Sequence, residues 1–180
     1  MDSQNRLQDY LIERSQKGDR KAQCELYQLY FKAMYNICRR MMGDDEDAKD
    51  VMQDAFIHAF SKLGALKDTA SFAGWLKRII VNHCVDSLRK RRQFQEFDQQ
   101  TLDQVDLEDD TDWADQQINN ILRAMDNISE VCRTILSLYV FEVYDHTEIA
   151  EILSISEVTS RAQYSKAKVK IRHLLSNQIK

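Results

Sequence analysis

Six residues between positions 71 and 89 stand four, three, four, four and three apart: Ser71, Trp75, Arg78, Asn82, Asp86 and Arg89. On a helix those steps stack on one flank, and at about 1.5 Å per residue the row is about 27 Å long. The residue types suit a nucleic acid. Arg neutralises phosphate, the Asn amide pairs bidentately with a base edge, and the Trp ring offers a face to an unpaired base. Four cations in sequence, Arg89-Lys90-Arg91-Arg92, follow at the end of the same segment. Cations favour any helix C-terminus, but four in a row exceed what capping requires. The plainer reading of the row is a solvated face whose Trp packs on a neighbouring helix.

A second cationic helix lies near the C-terminus. Asp145, with Glu148 three residues on, starts a short helix over 147–153 as a capping box does. Ser154-Ile155-Ser156 is a three-residue connector, Ser156 is the next N-cap, and a long helix runs to about Leu175. Tyr164, Ala167, Ile171, Leu174 and Leu175 form its packing stripe. Thr159, Gln163, Lys166 and Lys170 line one flank; Arg161, Ser165, Lys168 and Arg172 line the other. Short helix, tight turn and longer cationic helix is the arrangement of a helix-turn-helix, whose second helix enters the DNA major groove. The plainer reading is the basic C-terminal helix of an ordinary bundle.

The elements that must position these rows are helical. The chain has 180 residues, no proline and four glycines, and 43% of it is hydrophobic. With so few breakers an all-α fold is expected. Ala22, Leu26, Leu29, Tyr30, Ala33, Met34, Ile37, Cys38 and Met41 recur at helical spacing, and Gly43 is a left-handed cap. The run Asp44–Asp47 suits the positive end of the next helix, whose stripe is Ala48, Val51, Met52, Ala55, Phe56, Ala59, Phe60 and Leu63. Opposite that stripe lie Asp50, Gln53, Asp54, Ile57 and Ser61. Gly64–Thr69 is a loop. In the 71–92 helix the stripe is Phe72, Leu76, Ile79, Ile80 and His83, and a shorter helix precedes all of these. Residues 116–127 and 130–141 are helical, with Ser129 as an N-cap.

Charge divides the chain. Residues 96–115 hold nine acids and no Lys or Arg, a poor core builder that self-repulsion keeps extended. Taking those nine from the 29 acids leaves 20 against 25 basic residues, so an overall charge of −4 conceals a balance of +5 in the remainder. The expected domains are therefore 1–95 and 116–180, joined by an acidic flexible linker over 96–115; the plainer alternative is a solvated acidic loop within one domain. The second is a helix-turn-helix (winged-helix-like) four-helix domain. Apolar runs are too short for a membrane helix, and the polar N-terminus lacks the apolar core of a signal peptide. The expectation is a cytoplasmic protein with no direct membrane insertion. Cys24, Cys38, Cys84 and Cys132 are widely spaced and read as buried reduced thiols, with neither a disulfide nor a metal site. No catalytic residue and no cofactor is expected. The carboxylates Asp44, Asp45, Glu46 and Asp47 point around a helix instead of converging, and no His or Cys cluster completes a hydrolytic site.

GDDEDAKDVMQDAFIHAFSKL followed by SFAGWLKRIIVNHCVDSLRKRR resembles region 2 of the extracytoplasmic-function (ECF) group of bacterial RNA polymerase sigma factors. NISEVCRTILSLYVFEVYDHTEIAEILSISEVTSRAQYSKAKVKIRHLL resembles their region 4, and together the match covers about residues 20–175. The combination of D-x-x-Q-[ED]-x-F, S-F-x-x-W-L-x-R-I-x-x-N and E-I-A-x-x-L-x-I-S-E carries it.

The resemblance implies a dissociable subunit of core RNA polymerase, not an enzyme, that recognises a −35 promoter duplex and melts the −10 element. An anti-sigma factor is a further implied partner. By position, Asp50, Gln53, Asp54 and Ile57 match the polymerase-binding face. Phe72, Trp75 and Asn82 match the melting segment. The loop Lys67–Ser71 helps to hold a flipped base. Arg78 shares the flank of Trp75 and Asn82 that holds the opened −10 DNA, and Arg89, Lys90, Arg91 and Arg92 grip the adjacent duplex backbone. Ser156, Glu157, Thr159, Arg161, Gln163 and Lys166, within a helix-turn-helix over 147–168, match the −35 reader. Departures from the family pattern fall at Ser154 and Val158, where glycine is usual, at Ser160, where valine is usual, and at Gln163, where arginine is frequent. Ser160 lies near the packing stripe, so its hydroxyl needs a local partner such as a backbone carbonyl. The residues taken alone leave two alternatives: a polymerase-independent helix-turn-helix regulator, and an all-helical protein-binding adaptor.

Overall fold

The computed structural model describes the backbone of residues 2–95 and 113–177 and the side chains of residues 6–91 and 120–176. Most of the expected acidic linker and the Arg92 side chain lie outside the described residues. The chain forms two compact units, Met1–Asp86 and Ser87–Lys180. Eight α-helices and no strand occur among the described residues. None of those helices is long and apolar enough to cross a membrane.

The first unit contains α1 (Asp2–Gln16), α2 (Arg20–Met42), α3 (Asp45–Lys62) and the start of α4 (Phe72–Gln95). Carboxylates set the helix starts. Asp19 caps α2 by accepting from the amides of Lys21 and Ala22, and it pairs with Arg14 at the end of α1. Asp44 caps α3 through the amides of Glu46 and Asp47. Gly43 ends α2 at φ 75°, the left-handed geometry that glycine adopts without a steric penalty. Ile12, Leu26, Met41, Met42, Leu63, Phe72, Leu76 and Ile80 are fully buried in this unit.

The buried face of α4 is rotated from the expected one. Phe72, Leu76, Ile80, Val81, Cys84, Val85 and Leu88 point inward, while Ile79 and His83 are only half-buried. On α2, Leu29 and Ala33 are exposed despite their helical spacing. Two adjoining apolar stripes have nearly the same period, and only the packing partner selects between them. Cys38, Cys84 and Cys132 are buried free thiols, whereas Cys24 is exposed.

The second unit contains α5 (Trp113–Asp126), α6 (Glu130–Leu136), α7 (His146–Leu153) and α8 (Glu157–Asn177). Met125, Ile128, Cys132, Leu136 and Ala167 form one core cluster, with Leu122, Tyr164, Ile171 and Leu174 packed against it. The expected 130–141 helix is α-helical only to Leu136. Ser137–Phe141 form a π-turn, and the chain leaves it through Val143 at φ 62°. Ser129 occupies the N-cap of α6, but its hydroxyl makes no capping bond.

Candidate nucleic-acid interface

The row on α4 is presented as its spacing requires. Ser71, Arg78, Asn82, Asp86 and Arg89 are exposed along one flank, and Trp75 is half-buried with its ring 5.9 Å from that of Phe72. Lys90 is exposed and Arg91 half-buried. Phe72 is a correction. At 1% exposure it lies in the core, edge-on to Tyr30 at 5.1 Å, and cannot touch DNA. Its packing fixes the start of α4 and supports Trp75 from beneath.

The loop before α4 is built by short polar contacts. Asp68 accepts from the amide of Ala70, and the Ser71 hydroxyl donates to the Asp68 carbonyl at 2.7 Å. Lys67 is exposed beside them. Gln16, at the end of α1, donates to the carbonyls of Leu63 and Leu66, at 3.2 and 2.8 Å. This amide therefore fastens the loop to the N-terminal helix. A contact between residues 47 and 50 positions apart leaves no periodic signal in the sequence.

On α3, Asp50, Gln53 and Asp54 are exposed, and Ile57 is 62% exposed among them.

The helix-turn-helix is assembled by caps. Asp145 and Glu148 form a reciprocal capping box at the start of α7. Ser154 adopts the left-handed conformation, φ 57° and ψ 47°, with its amide bonding back to the last turn. That geometry costs a non-glycine residue about 1–2 kcal/mol, so a turn usually made by glycine keeps its shape at a cost in stability. Ser154→Gly relieves that strain but also removes the exposed hydroxyl that accepts from Arg89 at 3.0 Å, a bond worth less than the strain. The stability of this unit is therefore expected to rise by up to about 0.5–1 kcal/mol, read as a higher urea midpoint. An unchanged or lower midpoint would contradict this. Ser156 caps α8 by accepting from the Thr159 amide at 3.0 Å, and its hydroxyl meets that of Thr159 at 2.8 Å.

The first turns of α8 present Ser156, Thr159, Arg161 and Lys166 to solvent. Glu157 accepts from Arg161 at 2.6 and 2.8 Å, which holds the guanidinium along the helix. Gln163 is half-buried, and its side-chain oxygen accepts from the Cys132 thiol at 3.4 Å, leaving the amide nitrogen as the group that could reach a base.

Ser160 is completely buried, and its partner is not the expected backbone carbonyl. The hydroxyl lies 2.9 Å from Nδ1 of His146, the first residue of α7. Tyr139 stacks on that imidazole at 4.6 Å, and Tyr164 meets it edge-on at 5.5 Å. Burial holds the His146 pKa below its ordinary 6.5, and the nearby Arg161 adds to this, against weaker opposing effects of Glu157 and Asp145. A depressed histidine pKa means that the folded state resists protonation. The stability contributed by neutral His146 is thus complete above pH 6.5 and is lost as pH falls below it toward the folded-state value. The urea midpoint of this unit is expected to fall on acidification from pH 7.5 to 5.5, and less so in His146→Phe. Equal acid sensitivity in both proteins would remove His146 as the cause.

Known proteins match both units. The Sigma-70 region 2 family model matches residues 26–94, and the Sigma-70 region 4 model matches residues 118–171. The ECF RNA polymerase sigma factor SigW of Bacillus subtilis is 27% identical over 177 residues, covering 91% of this chain and 94% of SigW. The RNA polymerase sigma-H factor of Pseudomonas aeruginosa is 28% identical over 171 residues, 88% of each chain. The sigma factor RpoE of Bartonella quintana, solved with the anti-sigma factor NepR, shares the fold. Its TM-score is 0.60 at 20% identity, over 84% of this chain and 95% of that one. CnrH, solved with the cytosolic domain of CnrY, gives a TM-score of 0.54 at 21% identity, over 95% and 98%.

Two helical units, the second a helix-turn-helix, and both sigma-70 models in chain order define a transcription initiation factor. The chain belongs to the ECF group of the sigma-70 family and directs RNA polymerase to promoters.

Proposed function

We propose that the work of initiation is divided among three surfaces of this chain. Asp50, Gln53, Asp54 and Ile57 on α3 dock on core polymerase. The flank of α4 with Trp75, Arg78 and Asn82, together with Lys67 and Ser71 of the preceding loop, captures the opened −10 strand, and Arg89–Arg92 hold the adjacent backbone. The first turns of α8, with Ser156, Thr159, Arg161, Gln163 and Lys166, read the −35 duplex. Residues 1–95 carry the first two tasks, 116–180 the third, and 96–115 connect them.

The observation that carries this reading is the exposure of Asn82 and Arg78 in line with a half-buried Trp75 on a helix whose other face is core. Extruding a base costs a few kcal/mol. A ring face, an amide and a guanidinium along one rigid flank offset that cost by stacking, base-edge pairing and phosphate neutralisation. The helix is rigid because Phe72, Leu76 and Ile80 anchor it, so the flank is pre-formed before DNA arrives.

The protein acts in the cytoplasm, catalyses no reaction itself, and is held by an anti-sigma factor until released. The complexes of RpoE with NepR and of CnrH with CnrY support that last partner. The test is transcription with purified protein and core polymerase on fragmented genomic DNA. Promoter-specific transcripts that require both components are expected, and tight duplex binding without polymerase, with no such transcripts, would overturn the reading.

A further inference from the structure

Two imidazoles from different helices converge beside the proposed −10 and polymerase faces. Nδ1 of His58 on α3 lies 2.8 Å from Nε2 of His83 on α4, with ring centroids 5.1 Å apart. His58 is exposed and His83 half-buried, so solvent reaches the pair. Two neutral imidazoles at this distance need one proton between them: one nitrogen donates and the other accepts.

We propose that a divalent late transition metal, Cu2+ or Ni2+ in preference to Zn2+, binds between His58 Nδ1 and His83 Nε2 and clamps α3 to α4. A metal is the other cation that can satisfy two convergent imidazole lone pairs, and imidazole is a ligand these ions favour. Distance selects among them. Two nitrogens at neighbouring square-planar or octahedral positions, each about 2.0 Å from the ion, are about 2.8 Å apart, whereas a tetrahedral site spreads them to about 3.3 Å. The 2.8 Å separation of the hydrogen-bonded pair already equals the first spacing, so the rings need only turn toward the ion, not move apart, to take neighbouring positions of the kind Cu2+ and Ni2+ prefer. The ion displaces the shared proton, so both facing nitrogens are unprotonated when it is held. No cluster of three or more His, Cys, Asp or Glu side chains placed to hold a metal occurs among the described residues, so water fills the remaining positions.

The experiment uses untagged, full-length protein. With Cu2+ or Ni2+ at tenfold over its dissociation constant, the melting temperature is expected to rise by about 5 °C, and Zn2+ at that same concentration gives a smaller rise. His58→Ala, an exposed change that should not disturb the core, abolishes the rise, as does His83→Ala. Cys24→Ser, which removes the exposed thiol, keeps it. The Cu2+ paramagnetic resonance spectrum should show coupling to two imidazole nitrogens. An undiminished rise in His58→Ala, or neither a rise nor nitrogen coupling in the unsubstituted protein, would overturn the proposal.

Discussion

Trp75→Ala lowers the yield of open promoter complexes by about 5- to 150-fold, the effect of losing about 1–3 kcal/mol of base stacking. The loss should appear as reduced permanganate reactivity of −10 thymines, with polymerase binding unchanged. Asn82→Ala is expected to lower opening to a similar degree but unequally between promoters, because an amide reads a base edge whereas a ring accepts any base. Lys90→Ala, a change at an exposed cation, should weaken binding evenly on all promoters and reduce the salt slope by about one. Trp75 is half-buried against Phe72, so the alanine variant must also be melted. A fall in melting temperature matching the loss of opening would make the ring structural and sink the assignment. Equal losses at Asn82 and Lys90 on every promoter would do the same for the division between base reading and backbone grip.

Ile57→Glu reduces affinity for core polymerase by about 30-fold, the effect of a single interface hot spot of about 2 kcal/mol. Ile57 is 62% exposed and the charge enters no core, so the fold and its melting temperature should be unaffected. Asp54→Lys, on the same exposed face, should slow association, with the defect fading as salt is raised. Titration of fluorescently labelled protein with core enzyme reads both. Wild-type affinity in Ile57→Glu would exclude this face of α3 from the contact.

The sequence exposes what depends on local order. The starts of α3, α7 and α8 follow from Asp44, Asp145 and Ser156, and the left-handed end of α2 follows from Gly43. Within candidate surfaces, solvent-facing positions such as Asn82, Ile57 and Thr159 emerge from helical spacing alone. What depends on a partner distant along the chain does not emerge. Phe72 belongs to a motif associated with DNA opening, yet Tyr30 claims its ring. Gln163 turns part of its amide toward Cys132, and Gln16 grips a loop beyond two helices. The π-turn at Ser137–Phe141 cannot be told from a continuing helix in the sequence, because five residues are too few to show a period of their own.

The buried contact between His146 and Ser160 binds the history of two positions together. A valine at 160 would leave the imidazole without its hydroxyl, and an apolar residue at 146 would leave the hydroxyl stranded in the core, each costing about 1–3 kcal/mol. Changing both at once to well-packed apolar side chains avoids either loss. A change at either site alone is therefore expected to weaken this unit, and a matched change at both to restore it. The pair should be inherited, exchanged and lost as a unit, and a chimaera that splices α7 from one relative to α8 from another would join only where the two positions agree.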